Sequence, residues 1–414
     1  MVFFINMNVA IMSIGDELMN GFTIDTNSSW IAKKILEYQS LDVVSKITVK
    51  DDPVDIKNNL DDLIKSKVDY IFITGGFGPC HDDITKKVLS DYFNADLVLN
   101  SSYYSRLELF FKNKNIKKNS NLKSQAQMLE NSTPIPNRYG TALGMKIKYK
   151  KTIIFVLPGV PKEVKGMFEE EISPSYLLSK FKKEKKYITL LTTGIYESKL
   201  FDILKHTIDQ NLNDFKVSFL PKYTGVNVRL SKKENNVCLN DFKDNIMDEI
   251  GEYVYGFDNE KMENIIAEKL FSNQLTIAIA ESCTGGYISK KLTDIPGSSK
   301  YFKGSIVAYD NSIKKYLLDI SDELLSKYGA VSSEVAIKMA ENIRVKFNSD
   351  IGVSTTGISG PDGGSDDKPI GLIYIAIALK NETIVKNFNL IPHRKEHRNA
   401  ASHTALNMVR LLIK

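Results

Sequence analysis

Three stretches of the chain put reactive side chains where the backbone could use them. The first is Ala280-Glu281-Ser282-Cys283-Thr284-Gly285-Gly286, which follows the apolar run Thr276 to Ala280 and leads into helical spacing through Leu292. Ser282 therefore falls at a strand-to-helix turn, beside the N–H groups of the helix's first turn. Those groups carry partial positive charge and can hold an oxyanion or a phosphate. Paired glycines let a ligand approach the backbone closely. A serine in this place is a candidate nucleophile, and an N-cap hydroxyl is the competing reading. A nucleophilic serine needs a base. His393, His397 and His403 all belong to the last segment, so Lys314 is the better candidate, provided burial or a neighbouring cation keeps its amine partly neutral.

The second stretch is Thr355-Thr356-Gly357-Ile358-Ser359-Gly360-Pro361-Asp362-Gly363-Gly364. So many glycines after a strand either shape backbone around a ligand or simply turn sharply, and strand-end loops commonly carry function. The third is Gly75-Gly76-Phe77-Gly78-Pro79-Cys80-His81-Asp82-Asp83-Ile84-Thr85. Its amides could cradle phosphate while Asp82 or Asp83 holds a hard divalent cation through oxygen. Acidic residues also suit a helix N-terminus for electrostatic reasons alone.

The elements that would position these groups alternate. Val9 to Ile14, Val43 to Val49 and Tyr70 to Thr74 read as strands, with helices over Thr26 to Leu36 and Val54 to Ile64. Thr152 to Leu157, the turn Pro158-Gly159-Val160-Pro161 and a helix from Lys162 to about Glu171 repeat the design. Alternation of this kind predicts right-handed crossovers and a parallel sheet, with ligands beyond the strands' carboxyl ends. From about Ser173 to Asn259 the pattern becomes α+β, with strands at Ile188 to Thr193, Phe215 to Phe219 and Val226 to Leu230 and a helix over Asp241 to Ile250. The helix Lys261 to Phe271 opens a last α/β segment, with strands at Thr276 to Ala280, Lys303 to Tyr309, Ile351 to Thr355 and Leu372 to Ala378.

The 414 residues suffice for two or three domains, and 43% hydrophobic with 25% charged residues is ordinary for a globular protein. A net charge of +5 on this length does not mark a nucleic-acid binder. Cys80, Cys238 and Cys283 are too few and too scattered for a disulfide framework or a thiolate zinc site. No apolar run is long enough to span a bilayer, and the apolar start reads as a strand. A cytoplasmic protein is expected, with no membrane partner.

Several motifs then fall in a familiar order. Ala280 to Gly286, Thr293-Asp294-Ile295-Pro296-Gly297-Ser298-Ser299, Val307-Ala308-Tyr309, Tyr328-Gly329-Ala330-Val331-Ser332, Thr356 to Gly364 and Lys368-Pro369-Ile370-Gly371 resemble the C-terminal domain of the CinA family. The resemblance covers nearly all of residues 260–414. It implies hydrolysis of the carboxamide of nicotinamide mononucleotide to nicotinate mononucleotide and ammonia, without a cofactor. It also implies Ser282 as acyl-forming nucleophile, Lys314 as base and Thr356 as a polar group beside the amide. Thr284, Gly285, Gly286, Tyr309, Asn311, Gly357, Gly360, Asp362 and Gly363 would surround the nucleotide. Arg394 and Arg398 would face its phosphate, although as charges alone they read equally as a solvated helix face. Asp310 stands where the family usually has Ser, and Pro392-His393 where it has Gly-Asp. A carboxylate that close would raise the lysine's pKa.

Gly15-Asp16-Glu17-Leu18 with Asp25-Thr26-Asn27, Thr74 to Thr85, Asn137 to Gly144, and Leu157 to Val164 resemble the molybdopterin-binding-like domain that opens full-length CinA proteins. That resemblance implies metal-dependent cleavage of ADP-ribose to AMP and ribose 5-phosphate. Gly75, Gly76, Gly78, Asn137 and Lys162 would lie at the substrate, and a divalent ion on Asp82 and Asp83. Cys80 replaces the family's Thr, Phe77 a common Leu, and Leu143 the usual Pro. The expected architecture is an N-terminal molybdopterin-binding-like α/β domain (1–172), a small α+β KH-like middle domain (173–258) and a C-terminal α/β amidase domain (259–414), in a homodimer. The run Lys180 to Lys186 is basic, but nucleic-acid binding by a KH fold needs a GxxG loop, and none occurs between Ser173 and Asn259. The rival reading is a nucleotide-binding or interaction protein, linked to competence, whose pockets have lost catalysis.

Overall fold

A computed structural model describes residues 6–77, 84–113, 122–233 and 237–413. The chain divides into two compact units, Met1–Lys186 and Tyr187–Lys414. In the first, the strands Leu41–Val49, Met7–Ile14, Tyr70–Thr74 and Thr152–Leu157 lie side by side in that order, all parallel. Both faces of the inner strands are covered, which is why Met7–Ile14, Tyr70–Thr74 and Thr152–Leu157 are almost continuously apolar, whereas Leu41–Val49 at the edge carries Asp42, Ser45, Lys46 and Thr48. Val9, Ile11, Phe72 and Phe155 fill one face; Ala10, Met12, Ile71 and Ile73 fill the other. The helix Thr26–Ile35 starts where the Asp25 side chain accepts from Ser28 N, and Pro53–Lys65 starts at Asp52, with proline at its first turn.

The sheet is not wholly parallel as alternation predicts. Gly144–Tyr149 joins it antiparallel to Thr152–Leu157, and Thr133–Ile135 adds outside that. Lys150 and Lys151 alone separate the first pair, too few residues for a crossover. The helix expected from Lys162 covers Pro161–Met167 and then continues in π-helical form over Phe168–Leu177, through Pro174. Leu177 is buried in the first unit's core, beyond the expected domain boundary at 172.

In the second unit, Phe215–Lys222, Gly225–Lys232, Tyr187–Thr192 and Val254–Phe257 form an antiparallel sheet. The helices Glu197–Gln210 and Leu239–Ile250 pack on it through Leu200, Leu204, Phe242 and Ile246. The first of these helices is absent from the sequence reading, although Leu200, Leu204 and Ile208 recur at helical spacing.

The last sheet runs Phe302–Val307, Ile277–Glu281, Ile351–Gly357, Leu372–Ala378 and Thr383–Asn389. The first three are parallel; Leu372–Ala378 runs antiparallel to Ile351–Gly357, and Thr383–Asn389 antiparallel to Leu372–Ala378. Thr383–Asn389 is an edge strand only partly buried, so its pattern lacks the apolar run that marked the others. Ser333–Lys346 covers one face through Val335, Met339 and Ile343, while Met262–Ser272 and Arg394–Leu412 cover the other through Ile266, Leu270, Leu406 and Val409. The three parallel strands thus deliver Ser282, Ala308 and Ile358 to the same end of the sheet, where ligands of such sheets bind. No helix among the described residues is long and apolar enough to cross a membrane.

Candidate active site

Ser282 leaves the strand Ile277–Glu281 with its N–H donated to Thr355 O at 2.9 Å, which pins it against the neighbouring strand Ile351–Gly357. The turn that follows needs glycine: Gly285 has φ +56° and Gly286 φ +91°, and a Cβ on Gly285 would stand 2.9 Å from the Arg398 guanidinium. The N–H groups of the helix Tyr287–Thr293 are not open to a substrate anion, contrary to the expectation from sequence. The fully buried Glu281 carboxylate takes them, accepting from Gly286 N at 2.9 Å, Ile288 N at 3.2 Å and Ser289 N at 2.9 Å, and also from Ser289 Oγ. An internal carboxylate has filled the positive end of the helix.

A cavity of about 190 Å³ lies beyond Ser282. Lys314, Thr356, Tyr309, Asn311, Gly357 and Arg394 line it, as the sequence reading brings them together. Thr284, Gly285, Gly286, Gly360, Asp362, Gly363 and Arg398 lie outside its lining. Thr284 is buried with its hydroxyl on Thr355 Oγ1 at 2.8 Å. Arg398 spends Nε and Nη2 on Thr284 O and Nη2 also on Gly285 O, and its guanidinium stacks over Tyr287. Its role is to hold the glycine turn. Arg394 bridges Gly360 O and the Tyr309 hydroxyl at the cavity's exposed side.

Lys314 is 1% exposed, on the helix Asn311–Leu318. Its Nζ donates to Ala308 O at 2.9 Å and Tyr309 O at 3.2 Å. Burial lowers its pKa from the ordinary lysine value, against the opposing pull of Asp310. A neutral amine has two N–H bonds and one lone pair. With both N–H groups on carbonyls, the lone pair takes a remaining tetrahedral direction, as a base requires. Asp310 turns its carboxylate to Ser312 N and Ser312 Oγ, where it caps the helix. Those bonds hold its own pKa below the usual carboxylate value. Since Ser caps helices about as well, Asp310→Ser is expected to keep the fold and lower the Lys314 pKa further, so that any rate depending on its neutral amine would rise at lower pH. A pH–rate profile of both proteins checks this.

Cys283, beside the proposed nucleophile, is no rival to it. Burial pushes its thiol up to about 12, where the reactive thiolate is scarce. Sequence reasoning did not single out Ser359, which lines the cavity, or His397, whose Nδ1 lies 2.8 Å from Ser359 Oγ. They are 38 residues apart, and no local pattern links them.

In the first unit a cavity of about 680 Å³ opens at the carboxyl ends of Met7–Ile14, Tyr70–Thr74 and Thr152–Leu157. Gly75 and Gly76 line it. Gly75 has φ +110° and a Cβ there would meet Ile14 O at 2.0 Å, so the strand exit admits no side chain. Gly78, Cys80, Asp82 and Asp83 lie outside the described residues. Asn137, by contrast, is consumed by structure. Nδ2 donates to Glu163 Oε2 at 2.6 Å and Ala142 O at 3.1 Å, and Oδ1 accepts from Tyr139 N and Gly140 N. Lys162 is exposed, over the Tyr139 ring, and is not part of the lining. Lining groups not anticipated as site residues include Ser13, Asn27, Asp51 and Glu163. Burial raises the Glu163 carboxyl above its ordinary value, opposed by the bond from Asn137. Ser13 Oγ and Asn27 Oδ1 are buried without a hydrogen-bond partner among the described residues, which is costly unless a ligand or water completes them. Among the described residues no group of three or more His, Cys, Asp or Glu side chains is arranged to hold a metal.

Comparison with known proteins matches the chain to three family models in succession. A probable molybdopterin binding domain covers residues 10–177, a damage-inducible protein CinA KH domain 188–256, and a CinA C-terminal domain 259–413. A CinA-like protein of Dictyoglomus thermophilum is 37% identical over 409 residues, 98% of either chain. A putative competence-damage inducible protein of Caldicellulosiruptor saccharolyticus is 37% identical over 413 residues, 98% of this chain and 99% of that one. The solved competence/damage inducible protein CihA from Agrobacterium tumefaciens is 34% identical, covering 37% of this chain and 98% of its own, with a TM-score of 0.36.

Proposed function

Since the chain belongs to the CinA family, we propose that its C-terminal domain hydrolyses the carboxamide of nicotinamide mononucleotide, with Ser282 as nucleophile and Lys314 as base. The observation that carries this reading is a buried lysine amine, its donors held by Ala308 O and Tyr309 O, on the same small cavity as a strand-end serine. Lys314 takes the hydroxyl proton of Ser282 while Oγ attacks the amide carbon. The proton then passes to the amide nitrogen, the C–N bond breaks and ammonia leaves. Water hydrolyses the resulting ester to the acid and restores Ser282.

The cavity is smaller than the roughly 300–1,000 Å³ that encloses a whole drug-sized ligand. It suits the reacting end of the nucleotide, with the ribose phosphate outside, towards Arg394 and the exposed Tyr309. With the helix start occupied by Glu281, Asn311 on the cavity lining is a donor side chain available to the oxyanion. Ammonia release from nicotinamide mononucleotide tests the proposal. Its absence at every pH would overturn it.

For the N-terminal domain the proposed activity is metal-dependent cleavage of ADP-ribose. It is supported by the strand-end cavity, the side-chain-free glycine exit and the two uncompleted polar atoms. A divalent ion would draw on Asp82 and Asp83 and would neutralise pyrophosphate oxygens. AMP formation is expected with added Mg²⁺ or Mn²⁺ and is expected to stop on chelation. An unchanged rate in chelator would remove the metal from the proposal.

A further inference from the structure

Two hydroxyl groups on the Ser282 cavity are held so that each can only accept. Thr356 gives its proton to Ala330 O at 2.7 Å. Ser359 Oγ faces Nδ1 of His397, whose Nε2 stands 3.2 Å from Gly371 O. A carbonyl oxygen cannot donate, so Nε2 carries the ring proton and the bare Nδ1 accepts the proton of Ser359. His397 is fully buried, which favours the neutral ring this arrangement needs. Only lone pairs remain on the Ser359 and Thr356 oxygens.

Resting on the carboxamide reading above, we infer that Ser359, oriented by His397, is a specificity-determining residue that accepts from the –NH₂ of the substrate amide and disfavours the carboxylate product. A primary carboxamide brings two N–H donors, whereas a carboxylate brings acceptors alone. Against two lone-pair oxygens the amide forms bonds and the acid meets repulsion. Arg394 on the same cavity would otherwise attract the acid and slow its release. His397 is absent from the cavity lining and acts through Ser359 as a positioning residue. It ties both ends of the segment Ser359 to Gly371 to the helix Arg394–Leu412.

The test uses the full chain carrying Ser282→Ala, so that nothing is turned over. Calorimetric titration with nicotinamide mononucleotide and nicotinate mononucleotide gives an acid-to-amide Kd ratio. Adding Ser359→Ala is expected to shrink that ratio about tenfold, the worth of one net hydrogen bond. His397→Leu is expected to shrink it too. His397→Gln is expected to keep the ratio within about twofold, because its amide oxygen can accept from Ser359 and its nitrogen donate to Gly371. A purely structural role predicts instead that all three variants weaken both nucleotides alike. Thermal melts show which variants fold; should Ser359→Ala not fold, Ser359→Cys replaces it. A ratio insensitive to Ser359 overturns this inference alone, whereas failure of both nucleotides to bind overturns the substrate reading.

Discussion

Ser282→Ala is expected to cut ammonia release from nicotinamide mononucleotide by about 10⁴-fold or more, the scale seen when a serine nucleophile is removed from an otherwise intact site. The backbone reason for confining the loss to chemistry is plain. Ser282 is held by its N–H on Thr355 O, not by its hydroxyl, so the turn survives the substitution. The Glu281 carboxylate still fills the helix start, and Arg398 still grips Thr284 O. Nucleotide binding is therefore expected to stay within about threefold, since a hydroxyl that acts in the transition state contributes little to ground-state binding. Steady-state ammonia assays paired with calorimetric titration check both halves. Retention of more than a tenth of the activity would remove Ser282 from the reaction, whereas no ammonia release from either protein would leave the binding-protein reading in its place.

Lys314→Met is the second large effect. Methionine matches the buried stem of lysine in length and polarity but has no amine. The expected loss in kcat is about 10²–10⁴-fold, the usual contribution of a positioned base. Two carbonyls, Ala308 O and Tyr309 O, lose their donor, so some stability goes with it, on the order of 1–3 kcal/mol for unpaired buried groups. The sign of the pH dependence gives a separate check. A base must be neutral, and burial lowers the pKa of Lys314. In the wild type kcat/KM is therefore expected to rise with pH and level off below the ordinary lysine pKa. In Lys314→Met the residual rate is expected to lose that limb. A limb that persists unchanged in the variant would assign the base to another group.

The order of strands and helices was largely legible because the periodicities are strong: Tyr70 to Thr74 and Thr276 to Ala280 are apolar runs closed by glycine-rich turns. The antiparallel additions were not, since Thr383–Asn389 is half solvated and Gly144–Tyr149 is joined to its neighbour by a hairpin. Residue types likewise exposed the reactive neighbourhood of Ser282, Lys314 and Thr356, but not how each group is spent. Asn137 and Arg398 look like ligand contacts by type, yet their hydrogen bonds are used on the loops Asn137 to Ala142 and Thr284 to Gly285.

The sequence alone carried the family and the strand–turn–helix frame around Ser282, because motifs in fixed order and strong local periodicity carry both. Only the tertiary structure decided protonation and polarity. It buries the Lys314 amine, fills the helix start with Glu281, makes Cys283 inert and brings His397 to Ser359. Desolvation and hydrogen-bond direction depend on what packs around a group from distant parts of the chain, and no window of sequence contains that environment.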